Sequence, residues 1–174
     1  MRLYSNGKLL ISGEYAILDG ALSLAAPTLF GQYLEILEDD SKYIKWTSKN
    51  ANGKVWFQSR IYRENLELDK SSSIKISNTL IEIIKNIRVF NSNFLTNSGA
   101  NITTKLTFDK DWGLGSSSTL ISNLSKLAEI DPFKLNNKIF NGSGYDIACA
   151  GSNSPLLFSL SENKKYIKEV TFRP

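Results

Sequence analysis

The chain has 174 residues, of which 41% are hydrophobic and 22% charged, a composition that excludes wholesale disorder and suits one packed domain. Its 21 Lys and Arg against 17 Asp and Glu leave a net charge of +4. The cations are scattered, and the densest cluster, Lys164-Lys165 with Lys168, is too small to mark a nucleic-acid surface. There is no histidine and only one cysteine, Cys149, which removes the usual base of hydrolytic triads, the commonest zinc ligand and any intrachain disulfide. Acid–base chemistry therefore falls to Asp, Glu, Lys or Tyr. No apolar run approaches the roughly 18 residues of a membrane span, and the N-terminus, MRLYSNGKLLISGEY, carries charge and glycine where a secretion signal would be apolar. A cytoplasmic protein is expected, with no membrane contact.

In chain order, Lys8 to Ser12 is a short apolar run between Gly7 and Gly13, the pattern of a buried strand. Ala21 to Ala26 is small and apolar and is ended by Pro27, and Phe30 to Leu37 reads as a separate strand. Tyr43 to Thr47 and Val55 to Gln58 are two more, joined by the turn formers of Ser48 to Gly53 as a hairpin. Arg60 to Lys70 is polar and reads as surface loop. Ser71-Ser72-Ser73 then offers a cap to a helix with Ile76, Leu80, Ile81, Ile84 and Ile87 on one side. Asn101 to Phe108 alternates Ile102, Thr104, Leu106 and Phe108 with polar residues, the clearest period-2 strand in the chain. Leu120, Ile121, Leu124, Leu127 and Ala128 mark one face of the next helix, and Asp131-Pro132 starts another that runs to Phe140 and is broken by Gly142-Ser143-Gly144. Leu156 to Leu160 and Tyr166 to Phe172 read as closing strands.

Three stretches carry chemistry. Between the period-2 strand and the helix that follows it lies Asp111-Trp112-Gly113-Leu114-Gly115-Ser116-Ser117-Ser118-Thr119. Its two glycines permit a sharp turn and close approach, its hydroxyls are candidate helix caps, and free N–H groups at a helix start, backed by the helix dipole, hold anions. It is neither a Walker A loop, lacking Gly-Lys-[Ser/Thr], nor a dinucleotide fingerprint, since Ser118 stands where the third glycine belongs. Gly142-Ser143-Gly144-Tyr145-Asp146, followed by Ile147-Ala148-Cys149-Ala150-Gly151, places a carboxylate after two glycines. Asp146 is read either as a cap on a short helix or as a cleft carboxylate that takes a substrate proton. Lys8 is either a solvated strand lysine or, if it faces Asp146, the cation that keeps that carboxylate ionised beside a transferring phosphoryl group. Glu14-Tyr15 is a buried polar pair or a substrate- or nucleotide-side contact.

Together these stretches resemble the motifs of the GHMP kinases, the family of galactokinase, homoserine kinase, mevalonate kinase and phosphomevalonate kinase. Asn6-Gly7-Lys8 through Gly13-Glu14-Tyr15 to Gly20 is similar to their first motif, and Gly113-Leu114-Gly115-Ser116-Ser117-Ser118 to their ATP-phosphate loop. Gly142 to Asp146 resembles the segment that carries the catalytic aspartate of the mevalonate kinase branch, and Gly-Tyr-Asp-Ile-Ala points to a bacterial subgroup named for that run. The resemblance implies an α+β fold like ribosomal protein S5 domain 2, with a mixed, largely antiparallel sheet and helices on one face. It implies transfer of the ATP γ-phosphoryl group to a small alcohol or phosphate with Mg²⁺. Asp146 would be the base, Lys8 its electrostatic partner, and Gly113 to Ser118 the phosphate cradle. Glu14, Tyr15, Ser143 and Gly144 would lie on the substrate side, and Ser116 or Ser117, with Ser117 preferred, would reach the metal.

The sequence departs from the family pattern in places. Asp109 and Asn6 stand where prolines are usual, Ser118 where alanine is, and 131–140 lacks the metal-binding glutamate of mevalonate kinases. The family's kinases have a second, C-terminal domain with a third glycine-rich motif, so residues 1–174 are expected to be a single N-terminal, ATP-binding domain. A covering domain or a homo-oligomer is the expected partner. The alternative to an active kinase is a catalytically silent nucleotide-binding or interaction module with the same fold. RNA binding is a third reading, which no basic stripe supports.

Overall fold

The computed structural model describes residues 1–13, 16–140, 142–161 and 164–171. Among these residues eight strands form one sheet: β1 (Arg2–Ser12), β2 (Ser23–Asp39), β3 (Tyr43–Lys49), β4 (Val55–Tyr62), β5 (Leu68–Ser71), β6 (Gly99–Leu106), β7 (Leu156–Ser161) and β8 (Lys164–Glu169). The helices are α1 (Ile74–Phe90), α2 (Ser116–Ala128), α3 (Pro132–Ile139) and α4 (Tyr145–Gly151). The strand order is β5-β4-β3-β6-β2-β7-β8, with β1 also paired to β2. All pairings are antiparallel except β3 with β6, which is parallel. The expected α+β class, with helices over one face of a mixed sheet, is what is found.

The sheet is organised by β2, a 17-residue strand. Along one edge it pairs first with β7, through Ser23 to Ala25, and then with β6, through Gln32 to Asp39. Its other edge carries β1. Pro27 therefore does not end a strand as the sequence suggests. It lies in the gap between the β7 and β6 pairings and opposite Lys8, beside a register shift in β1, where a missing N–H breaks little of the ladder. The sequence reading also needs correction at Arg60 to Lys70. β4 continues to Tyr62 and β5 adds an edge strand, because Ser59 and Ile61 point into the core while Arg60 and Tyr62 do not.

The main core joins Leu34, Ile44, Phe57, Ile61 and Ile102 of the sheet to Leu80, Ile83, Ile84 and Ile87 of α1 and Ile121 and Leu124 of α2. A smaller cluster, Ile17, Ala25, Cys149, Leu156 and Phe158, packs α4 against the β2–β7 end. Lys8 to Ser12 is a strand but not a buried one, since Leu9 and Ile11 face outward from the sheet. Among the described residues no helix is long and apolar enough to cross a membrane.

Candidate active site

The glycine-serine loop leaves β6 through a short 3₁₀ turn, Lys110–Trp112, whose start is fixed by the Asp109 carboxylate accepting from the Asp111 N–H at 3.1 Å. Gly113 and Gly115 then take φ values of +71° and +84°, in the left-handed region where a Cβ is disfavoured. At Gly115 space also forbids one, because a Cβ would sit 2.5 Å from Ser118 Oγ and 3.1 Å from Lys8 Cγ.

The expected serine cap is not what starts α2. Gly115 is the residue before the helix and no side chain caps it. The Ser118 hydroxyl, 2% exposed, turns back to donate to the Gly115 carbonyl at 2.9 Å. The first intrahelical bond of this turn runs from Thr119 N–H to the Gly115 carbonyl at 3.0 Å. The N–H groups of Ser116, Ser117 and Ser118 precede it and have no helical acceptor. Helix α2 has 13 residues, and uncapped N–H groups at the positive end of a helix are suited to anionic oxygens. Ser117 is exposed there, Ser116 half-buried.

Two contacts of Lys8 tie the loop to the rest. Its N–H donates to the Leu114 carbonyl at 3.0 Å, fastening β1 to the loop backbone. Its ammonium donates to the Tyr145 hydroxyl at 2.8 Å and lies 5.2 Å from that ring's centroid. Tyr145 opens α4, and Asp146 follows it with Oδ1 accepting from the Ile147 N–H at 3.0 Å. The structure thus pairs Lys8 with Tyr145, and Lys8 and Asp146 do not form one of the ion pairs within 4.0 Å found among the described residues. Both charges nonetheless act on Cys149, within α4. Burial pushes the Cys149 thiol up to about 12, the Asp146 carboxylate adds to the rise and the Lys8 ammonium opposes it.

Gly144 precedes α4 with φ +90°, and a Cβ there would meet Phe133 at 3.1 Å and Lys165 at 3.3 Å. Ser143 beside it is buried. Glu14 and Tyr15 lie outside the described residues.

Two further features of the site have no local signature in the sequence. Tyr145, the hydrogen-bonding partner of Lys8, is visible only once α4 is set against β1. A cavity of about 220 Å³ opens beside the start of α2, lined by Trp46, Trp56, Phe57, Ser116, Ser117 and Leu120 among others. Its trace in the sequence is one tryptophan on each strand of the hairpin, Trp46 and Trp56. Trp46 is held by its indole N–H, which donates to Ser48 Oγ at 3.0 Å.

No protein-family model and no curated protein sequence matches the chain. Solved structures do. The Methanococcus jannaschii mevalonate kinase aligns with TM-score 0.67 and 15% identity over 99% of this chain and 56% of its own. The L. major mevalonate kinase in complex with R-mevalonate aligns with TM-score 0.68 and 16% identity over 100% and 53%. The Streptococcus pneumoniae phosphomevalonate kinase in complex with phosphomevalonate and AMPPNP aligns with TM-score 0.65 and 20% identity over 91% and 49%. This chain therefore has the fold of one part of these small-molecule kinases and spans about half their length.

Proposed function

We propose that the chain is the ATP-binding part of a small-molecule kinase, related to the mevalonate and phosphomevalonate branch of the GHMP family. The observation that carries this is Lys8, one residue whose backbone holds the glycine-serine loop and whose ammonium holds the start of α4. It ties the loop before α2 and the segment that carries Asp146 to one residue of β1.

In this reading the free N–H groups of Ser116 to Ser118 receive the ATP phosphates, and the aromatic cavity beside them takes the base. Lys8 supplies positive charge between the phosphates and the acceptor. The acceptor oxygen attacks the γ-phosphorus as the bond to the β,γ-bridging oxygen breaks, and ADP leaves. When the acceptor is an alcohol, its proton passes to the Asp146 carboxylate. Ser143 and Gly144, beside Asp146, form the acceptor side, and Glu14-Tyr15 belongs to the same proposed set.

The donor set fits Mg²⁺. The Ser117 hydroxyl is exposed at the start of α2, and a magnesium ion usually takes one or two protein ligands with phosphates and waters. When bound, it would neutralise charge developing on the transferred group. Among the described residues no group of three or more potential Asp, Glu or Cys ligands forms, so the phosphates would have to supply the remaining contacts.

Residues 1–174 act in this proposal as one domain in a reducing, cytoplasmic setting, with the site closed by a covering domain or a second copy. The lack of a glutamate in 131–140 favours a second reading, a catalytically silent nucleotide-binding module. A phosphoryl-transfer assay over a panel of small alcohols and phosphates, run beside MgATP titration, separates the two. Asp146→Asn should lower turnover about 100-fold or more with MgATP affinity nearly intact. Equal loss of both would make Asp146 structural, and binding by the wild type without turnover on any acceptor would favour the silent module.

A further inference from the structure

The face that α2 turns toward β1 and β2 is polar and buried. Ser5 of β1, 1% exposed, is gripped by three α2 side chains. Its hydroxyl has one proton to share between Ser122 Oγ at 2.8 Å and Asn123 Oδ1 at 2.9 Å, and it accepts from Lys126 Nζ at 3.1 Å. Lys126 also donates to the Tyr4 carbonyl at 2.9 Å. Asn123, 0% exposed, reaches past β1 to the next strand, where its Nδ2 donates to the Gln32 carbonyl at 2.9 Å. The Gln32 amide oxygen accepts in turn from Thr119 Oγ1 at 3.2 Å.

Apolar side chains would let a helix slide along a sheet by a fraction of a residue at little cost. Directional bonds do not. A shift of α2 by one residue would leave the Asn123 amide and the Ser5 hydroxyl buried without partners, at about 1–3 kcal/mol for each group. The clamp also sits at a useful distance. Ser122 is six residues from the helix start, about 9 Å along the axis, and Ser5 is three residues from Lys8, about 10 Å along the strand. The Lys8 N–H bond to Leu114 at 3.0 Å is the second fastening. Two fastenings fix both the position and the tilt of α2 against β1.

We propose that Asn123, with Ser5 and Gln32, is a positioning residue that sets the register of α2 on β1 and β2, and thereby the placement of the 113–118 loop over Lys8. Its consequence for nucleotide binding rests on the function proposed above, but the register itself can be read without nucleotide.

The test compares Asn123→Ala with Leu124→Ala, which removes a neighbouring apolar side chain on α2 that is 0% exposed. Both are measured well below their unfolding temperatures. Asn123→Ala should speed hydrogen exchange at the Lys8 amide at least 10-fold relative to Leu124→Ala and weaken MgATP binding by a similar factor. Ser5→Ala, the milder variant should Asn123→Ala not fold, should move both in the same direction by about 3-fold. Ser125→Ala, at a buried hydroxyl with no partner among the described residues, should change neither. Equal exchange and equal affinity in Asn123→Ala and Leu124→Ala would overturn the proposal. A wild type that binds no MgATP would sink the proposed function while the exchange comparison still decides the register.

Discussion

Helices α1 and α2 pack on the same face of the sheet and are buried in opposite ways. The buried residues of α1 are Leu80, Ile81, Ile83, Ile84 and Ile87, with Ser77 the one polar exception. Those of α2 include Ser118, Thr119, Ser122, Asn123 and Ser125 beside Ile121, Leu124 and Ala128. Aliphatic burial contributes free energy without direction, about 1.5–3 kcal/mol for each large side chain. Hydrogen-bonded polar burial contributes less, about 0.5–1.5 kcal/mol per bond, but only at one register. The helix whose start would hold phosphate is the one held by direction, and its neighbour α1, which lines the cavity beside that start through Ile76, Thr79 and Leu80, is held by area.

Breaking each half in turn should give different losses. The largest effect on folding is expected at Ile84, 0% exposed in the middle of α1. Ile84→Ala should cost about 2–5 kcal/mol in denaturant unfolding, with MgATP affinity unchanged wherever the protein remains folded. A loss of affinity in step with stability would erase the distinction between the helices.

Gly115→Ala should do the reverse. The new Cβ meets Ser118 and Lys8 at a residue with φ +84°, so the loop must shift while the core stays intact. MgATP affinity should fall at least 10-fold for a stability loss of about 1–3 kcal/mol. Unchanged affinity would show that the loop is not where phosphate binds.

The smallest effect concerns Cys149, on the buried face of α4 in the small cluster with Ala25, Leu156 and Phe158. Its thiol is raised by burial from an ordinary value of 9.0 to about 12. The unfolded thiol ionises first as pH rises, so the folded state loses stability from pH 9 upward, toward the folded value near 12. Below 9 this group contributes no pH dependence. Iodoacetamide at pH 8 should therefore label Cys149 only at the rate at which the protein opens. Rapid labelling of the folded protein would contradict the burial of this end of the core.

The contrast between the helices also explains what could be read from the sequence. The start of α3 was legible because it is local. Asp131 accepts from Phe133 N–H at 2.8 Å and Lys134 N–H at 3.4 Å, with Pro132 next in line. The α1 stripe and the β6 alternation were legible because their buried positions are mostly apolar and periodic. The second buried face of α2 was not, since Ser122 and Asn123 look like a solvent face until Ser5 and Gln32, more than 85 residues away in sequence, are set against them. The same holds for Tyr145, which meets Lys8 across 137 positions. The uninterrupted course of β2 through Pro27 depends on a gap between two partner strands, which no local pattern records.

The central claim, that the uncapped start of α2 is a phosphate site served by Lys8, is tested most directly by calorimetric titration of the wild-type protein with MgATP and, separately, with adenosine. The account predicts saturable one-to-one binding of MgATP at least 10-fold tighter than that of adenosine, because the phosphates find the free N–H groups of Ser116 to Ser118. Equal affinities, or no saturable heat with MgATP into the millimolar range, would contradict it.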